Sequence, residues 1–99
     1  MEFQKNFNNG TLTVKLIGRL DAVTSMTLEK DLKSSLAGVK ELIFDLAKLD
    51  YIASAGLRIL LKSQKQMDKT GSKMKVKNVK AEVKDVFDMT GFSDFLCII

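Results

Sequence analysis

The sequence predicts a small mixed α/β domain, in which a β-sheet is covered by helices mainly on one face. Three observations predict this class. Short segments alternate apolar with polar residues, longer segments place apolar residues at helical spacing, and the two kinds follow one another along all 99 residues. The predicted order is β-β-α-β-α-β-α. A chain of this length holds one core, so we expect a single domain over residues 1–99.

The amino-terminal part of the chain is typical of a β-hairpin. Phe3 and Phe7 flank a polar stretch that ends in the triplet Asn8–Gly10, which supplies the positive φ angles of a tight turn. Residues 11–17 then alternate, with Leu12 and its apolar neighbours on one face. We therefore predict two antiparallel strands joined at this triplet.

A first amphipathic helix is predicted over residues 25–36. Ser25 or Thr24 is available as the N-cap, and Gly38 is a natural stop. The apolar positions recur every four residues: Leu28, Leu32 and Leu36. This spacing places them on the side of the helix that faces the core.

The middle of the chain contains a buried strand and a second helix. Residues 42–46 form an apolar run broken only by Asp45, the pattern of a central strand covered on both faces. The second helix is predicted from about Ser54 to Thr70, with Gly71 following its last turn. Its apolar stripe consists of Leu57, Leu60, Leu61 and Met67.

The last third of the chain repeats this alternation. Residues 73–79 alternate lysine with apolar residues, so one side of this strand meets water. A third helix follows, closed by Gly91, with three inner residues: Val83, Val86 and Phe87. Residues 95–99 form an apolar tail, either a last short strand or a packed end. The two β-α-β units predict neighbouring parallel strands.

Composition excludes several classes of function. The chain has no histidine and a single cysteine, Cys97, so Ser-His and Cys-His catalysis is excluded and a zinc site would need carboxylates. We therefore do not expect a small hydrolase or a metalloenzyme. The chain as a whole is predicted to be a non-enzymatic protein without metal or cofactor. No apolar run approaches the roughly 20 residues of a membrane span, and residues 1–5 lack a signal-peptide pattern. The lack of these two patterns favours a chain that begins at Met1 and stays in the cytoplasm. The lone thiol agrees with this, because it cannot form an internal disulfide.

The segment between the central strand and the second helix is the most informative for function. We interpret residues 45–57 as a loop at the carboxyl end of a central strand, where ligands and partners of α/β sheets usually act. Ser54 lies at the predicted helix start between small residues, so another protein can approach its hydroxyl closely. Two interpretations follow from the residues alone: a simple helix N-cap, or a phosphate acceptor favoured by the positive end of the helix.

Three segments in order carry a family resemblance: GRLDA at 18–22, DLAKLDYIASAGLRILL at 45–61 and VKDVFDMTGF at 83–92. With the predicted element order, they resemble the STAS domain of bacterial anti-sigma factor antagonists across nearly the whole chain. The resemblance implies a partner-switching protein that binds an anti-sigma factor with serine kinase activity and thereby frees a sigma factor. Phosphorylation would release the complex, and a PP2C-type phosphatase would restore binding.

The resemblance also assigns roles to residues. Ser54 falls on the family's phosphorylated serine, Gly56 and Leu57 on the residues that follow it, and Asp21 on an acidic residue of the neighbouring loop. The residues expected to contact the partner are Asp21, Ala53, Ser54, Ala55, Gly56, Leu57 and Arg58.

Two positions depart from the family motif. Ala53 replaces the aspartate before the acceptor, and Ala55 replaces a second hydroxyl, so the local acidic character is reduced. Asp45 and Asp50 are alternative sources of acidity. Their other interpretations are a hydrogen-bonded carboxylate at the end of a strand for Asp45 and an ordinary loop residue for Asp50.

Two alternative functions stay open from the sequence. One is a STAS interaction scaffold that phosphorylation does not control. The other is a weak nucleic-acid-binding domain, since sixteen Lys and Arg against twelve Asp and Glu give a net charge of +4. A basic face on the second helix would carry that role: Arg58, Lys62, Lys65 and Lys69. Aromatic residues are not interleaved with these lysines, so we expect no nucleic acid as a partner.

Overall fold

The structure, a computed structural model, describes residues 2–99 and contains a four-stranded mixed sheet in the order β1-β2-β3-β4. Met1, and with it the prediction that the chain begins there, lies outside the described residues. The strands are β1 (Glu2–Asn8), β2 (Thr11–Leu20), β3 (Glu41–Ile52) and β4 (Lys73–Lys77). The helices are α1 (Ala22–Ser35), α2 (Ser54–Lys69) and α3 (Ala81–Thr90), followed by a 3-10 turn (Phe92–Asp94).

Strand directions follow the prediction. β1 pairs with β2 antiparallel, whereas β2 with β3 and β3 with β4 are parallel. The parallel pairs are those that the two predicted β-α-β units require. The predicted element order is thus confirmed.

The hairpin turn has the predicted residues, but β2 is longer than predicted. Asn9 and Gly10 both have positive φ, 51° and 84°, as a two-residue hairpin turn requires. β2 continues past the predicted end at Ile17 to Leu20. Gly18, with φ 96°, lies where the pairing with β3 shifts register, so this glycine marks a bulge inside the strand and does not end it.

The helices cover one face of the sheet. Buried residues of neighbouring strands lie in register across that face: Leu12, Leu42 and Met74 in one row, Val14, Phe44 and Val76 in the next. The remaining residues of β3 are half-buried, among them Ile43 and Asp45, or exposed. The prediction that β3 is covered on both faces is therefore wrong.

β3 also extends through much of the predicted loop. Residues 45–52 remain in the strand, and Arg19 and Leu20 of β2 pair with Tyr51 and Ile52. The buried side chains in this part are three residues apart: Leu46, Leu49 and Ile52. This spacing breaks the two-residue period of a regular strand, and the two register shifts accommodate it. The actual loop before α2 is reduced to Ala53.

The helices differ from prediction mainly at their starts. α1 begins at Ala22, three residues before the predicted start, and ends at Ser35, with Gly38 in the following turn at φ 76°. α2 matches its predicted bounds to within one residue. The predicted inner residues are buried, except that Leu36, Leu61 and Val86 are half-buried.

The carboxyl-terminal part packs onto β4. Gly91 caps α3 in the left-handed conformation at φ 80°, as predicted. The main-chain groups of Val76 then pair with Cys97 and Ile99, at 2.8 and 2.9 Å. The tail thus adds only an isolated parallel bridge at Ile98 to the edge of β4, so the structure is closer to the predicted packed end than to the predicted short strand. Within residues 2–99, no helix combines the length and apolar character that crossing a membrane requires.

Candidate functional site

The candidate site lies at the carboxyl ends of the parallel strands β2 and β3. Leu20 and Ile52 are paired at these ends, and the N–H of Ala53 donates a hydrogen bond of 2.9 Å to the carbonyl oxygen of Leu20. α1 starts one residue after Leu20, with Asp21 between them, and α2 starts directly after Ala53. The starts of the two helices therefore meet at one edge of the sheet, and this edge carries both Asp21 and Ser54.

Asp21 is the N-cap of α1. Its carboxylate accepts hydrogen bonds from the N–H groups of Val23 and Thr24, at 3.1 and 3.0 Å, and its own N–H donates to the Thr24 hydroxyl at 2.9 Å. This reciprocal arrangement is a capping box. The N–H and hydroxyl of Thr24 hold the pKa of Asp21 below its ordinary value of 3.8. The prediction of Ser25 or Thr24 as the cap is wrong because Asp21 satisfies the first free N–H groups.

Ser54 is the first residue of α2 and is exposed. The N-cap position is occupied by Ala53, whose side chain cannot accept a hydrogen bond, so the interpretation of Ser54 as a simple N-cap is wrong. No acidic residue lies in the first turn of α2. The positive end of this helix is therefore not balanced by a side chain of its own first turn.

Gly56 and Leu57 support the site from within the fold. Gly56 is buried, and a Cβ there would lie 2.8 Å from both Leu20 Cγ and Ile52 Cγ1. Leu57 is buried in the core at 6% exposure. These two residues hold the start of α2 close to the sheet, and their contact with a partner stays a prediction.

The accessible members of the predicted set are the remaining five. Ser54 and Arg58 are exposed one helical turn apart, whereas Asp21, Ala53 and Ala55 are half-buried. The structure therefore brings together an accessible hydroxyl, a carboxylate and two small side chains at one edge. A macromolecule can approach the main chain around Ser54 without displacing a large side chain.

Sequence reasoning missed two apolar side chains near this edge. Val23 and Met26, in the first two turns of α1, are 74% and 65% exposed. A helix start at Asp21 would have included them, and their positions off the leucine stripe would have indicated exposure. They extend the accessible surface of the site with apolar groups, as is common in protein-binding surfaces.

Arg19 and Tyr51 form a second missed feature at the ends of β2 and β3. The guanidinium carbon of Arg19 lies 4.1 Å from the centre of the Tyr51 ring, a cation–π contact between paired residues. Both side chains are exposed, and both lie on the face of the sheet that the helices do not cover, whereas Leu20 and Ile52 are buried on the opposite face.

The two alternative sources of acidity do not serve Ser54. Asp45 accepts hydrogen bonds from the N–H of Ala47 and the amide of Asn78, both at 3.1 Å, so its carboxylate is hydrogen-bonded as predicted, but it lies inside β3 and not at the end of a strand. Its seven-residue separation from Ile52 along the strand corresponds to about 23 Å. Asp50 also lies in β3, so its interpretation as an ordinary loop residue is wrong, and it is ion-paired with Lys80.

One of the four basic residues predicted to form a basic face on α2 is engaged in an ion pair. Lys62 forms a 2.7 Å ion pair with Glu29 of α1, whereas Arg58, Lys65 and Lys69 are exposed. The hydrogen bond from Lys62 is the main cause that holds the pKa of Glu29 below its ordinary value of 4.5. In the part of the chain that the structure describes, no three His, Cys, Asp or Glu side chains group as metal ligands.

These features match a known family. The model of the STAS domain family matches residues 2–99. The chain therefore belongs to the STAS domain family.

Named relatives point to one class within it. BtrV of Bordetella bronchiseptica, which bears the name of an anti-sigma factor antagonist, is 33% identical over 85 residues, 85% of this chain and 73% of that protein. The anti-sigma-B factor antagonist of Bacillus subtilis is 25% identical over 91 residues, 92% of this chain and 84% of that protein.

The fold is shared with solved structures of the anti-sigma factor antagonist SpoIIAA. The unphosphorylated form aligns with a TM-score of 0.87 at 18% identity, over 99% of this chain and 88% of that one. The phosphorylated form of the Bacillus protein aligns with a TM-score of 0.79 at 17% identity, over 99% and 91%. At this identity the likeness concerns the fold.

Proposed function

We propose that this protein is a non-enzymatic anti-sigma factor antagonist, which binds an anti-sigma factor with serine kinase activity and is controlled by reversible phosphorylation of Ser54. The observation that carries the proposal is the exposure of Ser54 at the start of α2, beside the loop that holds Asp21. The names of the relatives support the same class.

The exposed hydroxyl meets the first requirement of the proposal, which is access for a kinase. Ser54 precedes the helical turns that bury Gly56 and Leu57, so its side chain projects from the fold while the next turn is anchored. Its neighbours Ala53 and Ala55 leave room for the main chain of a kinase active site. Because both lack polar groups, the kinase must recognise the folded edge and not an acidic motif.

Charge explains how phosphorylation would release the partner. A phosphoserine adds about 1.5 to 2 negative charges and three acceptor oxygens. In the free protein, water and the positive end of α2 stabilise the added charge. A partner packed against the same edge would remove the water, and burial of an unpaired charge costs about 3–5 kcal/mol, or two to three and a half powers of ten in affinity.

Asp21 strengthens this effect. Its carboxylate is ionised at neutral pH, because its pKa lies below the ordinary value of 3.8, so it would repel a phosphate on the neighbouring loop. The switch needs no movement of the domain, because the two loops are already joined through the main chain of Leu20 and Ala53. A PP2C-type phosphatase that removes the phosphate would restore the binding surface.

A phosphorylation and binding assay tests the proposal. The purified protein is incubated with ATP and a serine kinase encoded beside it, and the intact mass is measured. We expect one added phosphate on the natural protein and none on Ser54→Ala, and we expect the phosphorylated protein to lose binding to the kinase. Binding without any mass gain would favour the scaffold alternative. Binding to DNA or RNA with a steep dependence on salt would favour the nucleic-acid alternative.

A further inference from the structure

A groove of about 620 Å³ lies between α1 and α2, at the end of the helical layer away from Ser54. Its walls are the second half of α1 from Glu29 onward, the turn at residues 37–40, and α2 from Ile59 onward. Its volume is within the range of small-molecule sites, about 300–1,000 Å³. The groove and the candidate phosphorylation site thus occupy opposite ends of the same two helices.

The floor of the groove is apolar. It is formed by Leu32, Leu36, Val39 and Ile59. All three hydroxyl groups in the lining already donate to main-chain carbonyls: Ser63 to Ile59 at 2.8 Å, Thr70 to Met67 at 3.1 Å, and Ser72 to Val39 at 3.1 Å. With their donors engaged within the protein, these hydroxyls do not require a polar ligand, and the floor suits an alkyl chain.

The rim of the groove is positively charged. Lys33, Lys40 and Lys62 line it, and Glu29 is the only carboxylate in the lining. Lys62 is paired with Glu29, so these two charges balance. Among residues 2–99, no carboxylate forms an ion pair with Lys33 or Lys40, which leaves two free cations at the edge of an apolar floor.

We propose that this groove binds a long-chain carboxylate, a single-chain amphiphile whose alkyl chain covers the apolar floor and whose head group pairs with Lys33 and Lys40. Two free cations match one anionic head group, whereas an acidic protein helix would bring several carboxylates. The lining contains no aromatic residue on which a nucleotide base could stack. The proposal is independent of Ser54 and of its phosphorylation.

Calorimetric titration of the full chain with laurate tests the proposal. We expect saturable one-to-one binding and weaker binding of methyl laurate, which lacks the charge. The double variant Lys33→Gln/Lys40→Gln should bind laurate about tenfold more weakly, because each partly exposed charge pair contributes modestly. The matched control, Lys65→Gln/Lys69→Gln, removes the same charge from α2 outside the groove and should stay within about twofold of the natural protein.

A filling variant and a map of the site complete the test. Gln66 is exposed and lines the groove, so Gln66→Trp should occupy the floor and abolish binding. If circular dichroism shows that this variant is unfolded, the comparison of laurate affinity between the two double lysine variants decides the result. Amide resonances of residues 29–40 and 59–72 should shift with laurate, and Ser54→Asp should leave the affinity unchanged.

Three results would overturn the proposal. The first is a lack of saturable binding to laurate, and the second is an equal loss of affinity in both lysine variants, which would indicate only general charge attraction. The third is saturable binding of an acidic amphipathic peptide that shifts the amide resonances of residues 29–40 and 59–72 while laurate shifts none of them, which would identify the groove as a protein-docking surface.

Discussion

The N–H of Ala53 donates a 2.9 Å hydrogen bond to the carbonyl oxygen of Leu20, and this main-chain contact joins the two loops of the candidate site. The contact involves no side chain of Asp21 or Ser54. Substitution of the Ser54 side chain therefore changes the charge and chemistry of the surface while the arrangement of the loops is retained. For this reason, variants at Ser54 can separate binding from folding, whereas Asp21 also caps α1.

A negative charge at Ser54 should weaken partner binding. We expect Ser54→Asp to lower the affinity for the cognate anti-sigma kinase by about two powers of ten, since one buried unpaired charge costs about 3 kcal/mol. Ser54→Ala should bind like the natural protein but should not be released by ATP. Surface plasmon resonance with the immobilised kinase measures both effects.

The control for this prediction places the same charge elsewhere. Asn6 is exposed on the edge strand β1, so Asn6→Asp adds one negative charge far from the start of α2. It should bind within about twofold of the natural protein. Equal affinities of Ser54→Asp and the natural protein would refute the proposed switch.

Gly56→Ala should destabilise the protein, although alanine is the better helix former. Helix propensity alone predicts a gain of about 1 kcal/mol. The added Cβ would meet Leu20 and Ile52 at 2.8 Å, however, and such overpacking costs about 1–3 kcal/mol. Urea denaturation shows whether the free energy of unfolding falls or rises in Gly56→Ala. An increase would contradict the close packing of α2 on the sheet.

The start of α1 should depend on Asp21 and not on Ser25. Asp21→Ala removes the acceptor for two N–H groups and should lower the melting temperature by about 5 °C. Ser25 is buried and its hydroxyl has no hydrogen-bond partner among the described residues. Ser25→Ala should leave the melting temperature unchanged or raise it, because an unsatisfied polar group is removed. The reverse order of melting temperatures would mean that Ser25 is the cap after all.

The contribution of Asp21 should depend on pH. Its folded-state pKa is lowered because Thr24 donates hydrogen bonds to the carboxylate, so the stability it adds is complete above the unfolded value and is lost as pH falls through the folded value. Asp21→Asn keeps an acceptor oxygen but does not titrate. The natural protein should therefore be more stable than Asp21→Asn at pH 7, and the difference should shrink below about pH 4.

Chemical denaturation at a series of pH values measures this difference. Other carboxyl groups lose their contacts over the same range, but they are common to both proteins and cancel in the comparison. A difference that stays constant from neutral to acid pH would show that the charge of Asp21 does not contribute to the cap.

The sequence predicted the elements that depend on regular apolar spacing. α2 was placed to within one residue because its apolar stripe persists over four turns, and the parallel strands followed from the alternation of elements. The prediction was wrong where a tertiary contact overrides the local sequence pattern. The second half of β3 lacks a two-residue period, and only the bulged pairing with β2 makes it a strand.

Two details of the site also escaped prediction. An N-cap depends on where the preceding strand ends, and the extra length of β2 moves the cap of α1 from Ser25 to Asp21. The burial of Gly56 and Leu57 depends on how closely α2 approaches the sheet, which sequence spacing does not specify. The position of Ser54 at the start of α2, by contrast, followed from the helical pattern alone.

The pairing of Leu20 with Ile52 has a consequence for the newly made chain. The two residues are 32 positions apart, so a ribosome must complete β3 and the chain must dock it onto β2 before the loops of Asp21 and Ser54 meet. A kinase that recognises both loops would ignore nascent and misfolded copies, whose serine lacks its neighbour. Such a regulator would enter the signalling pool only after it has matured.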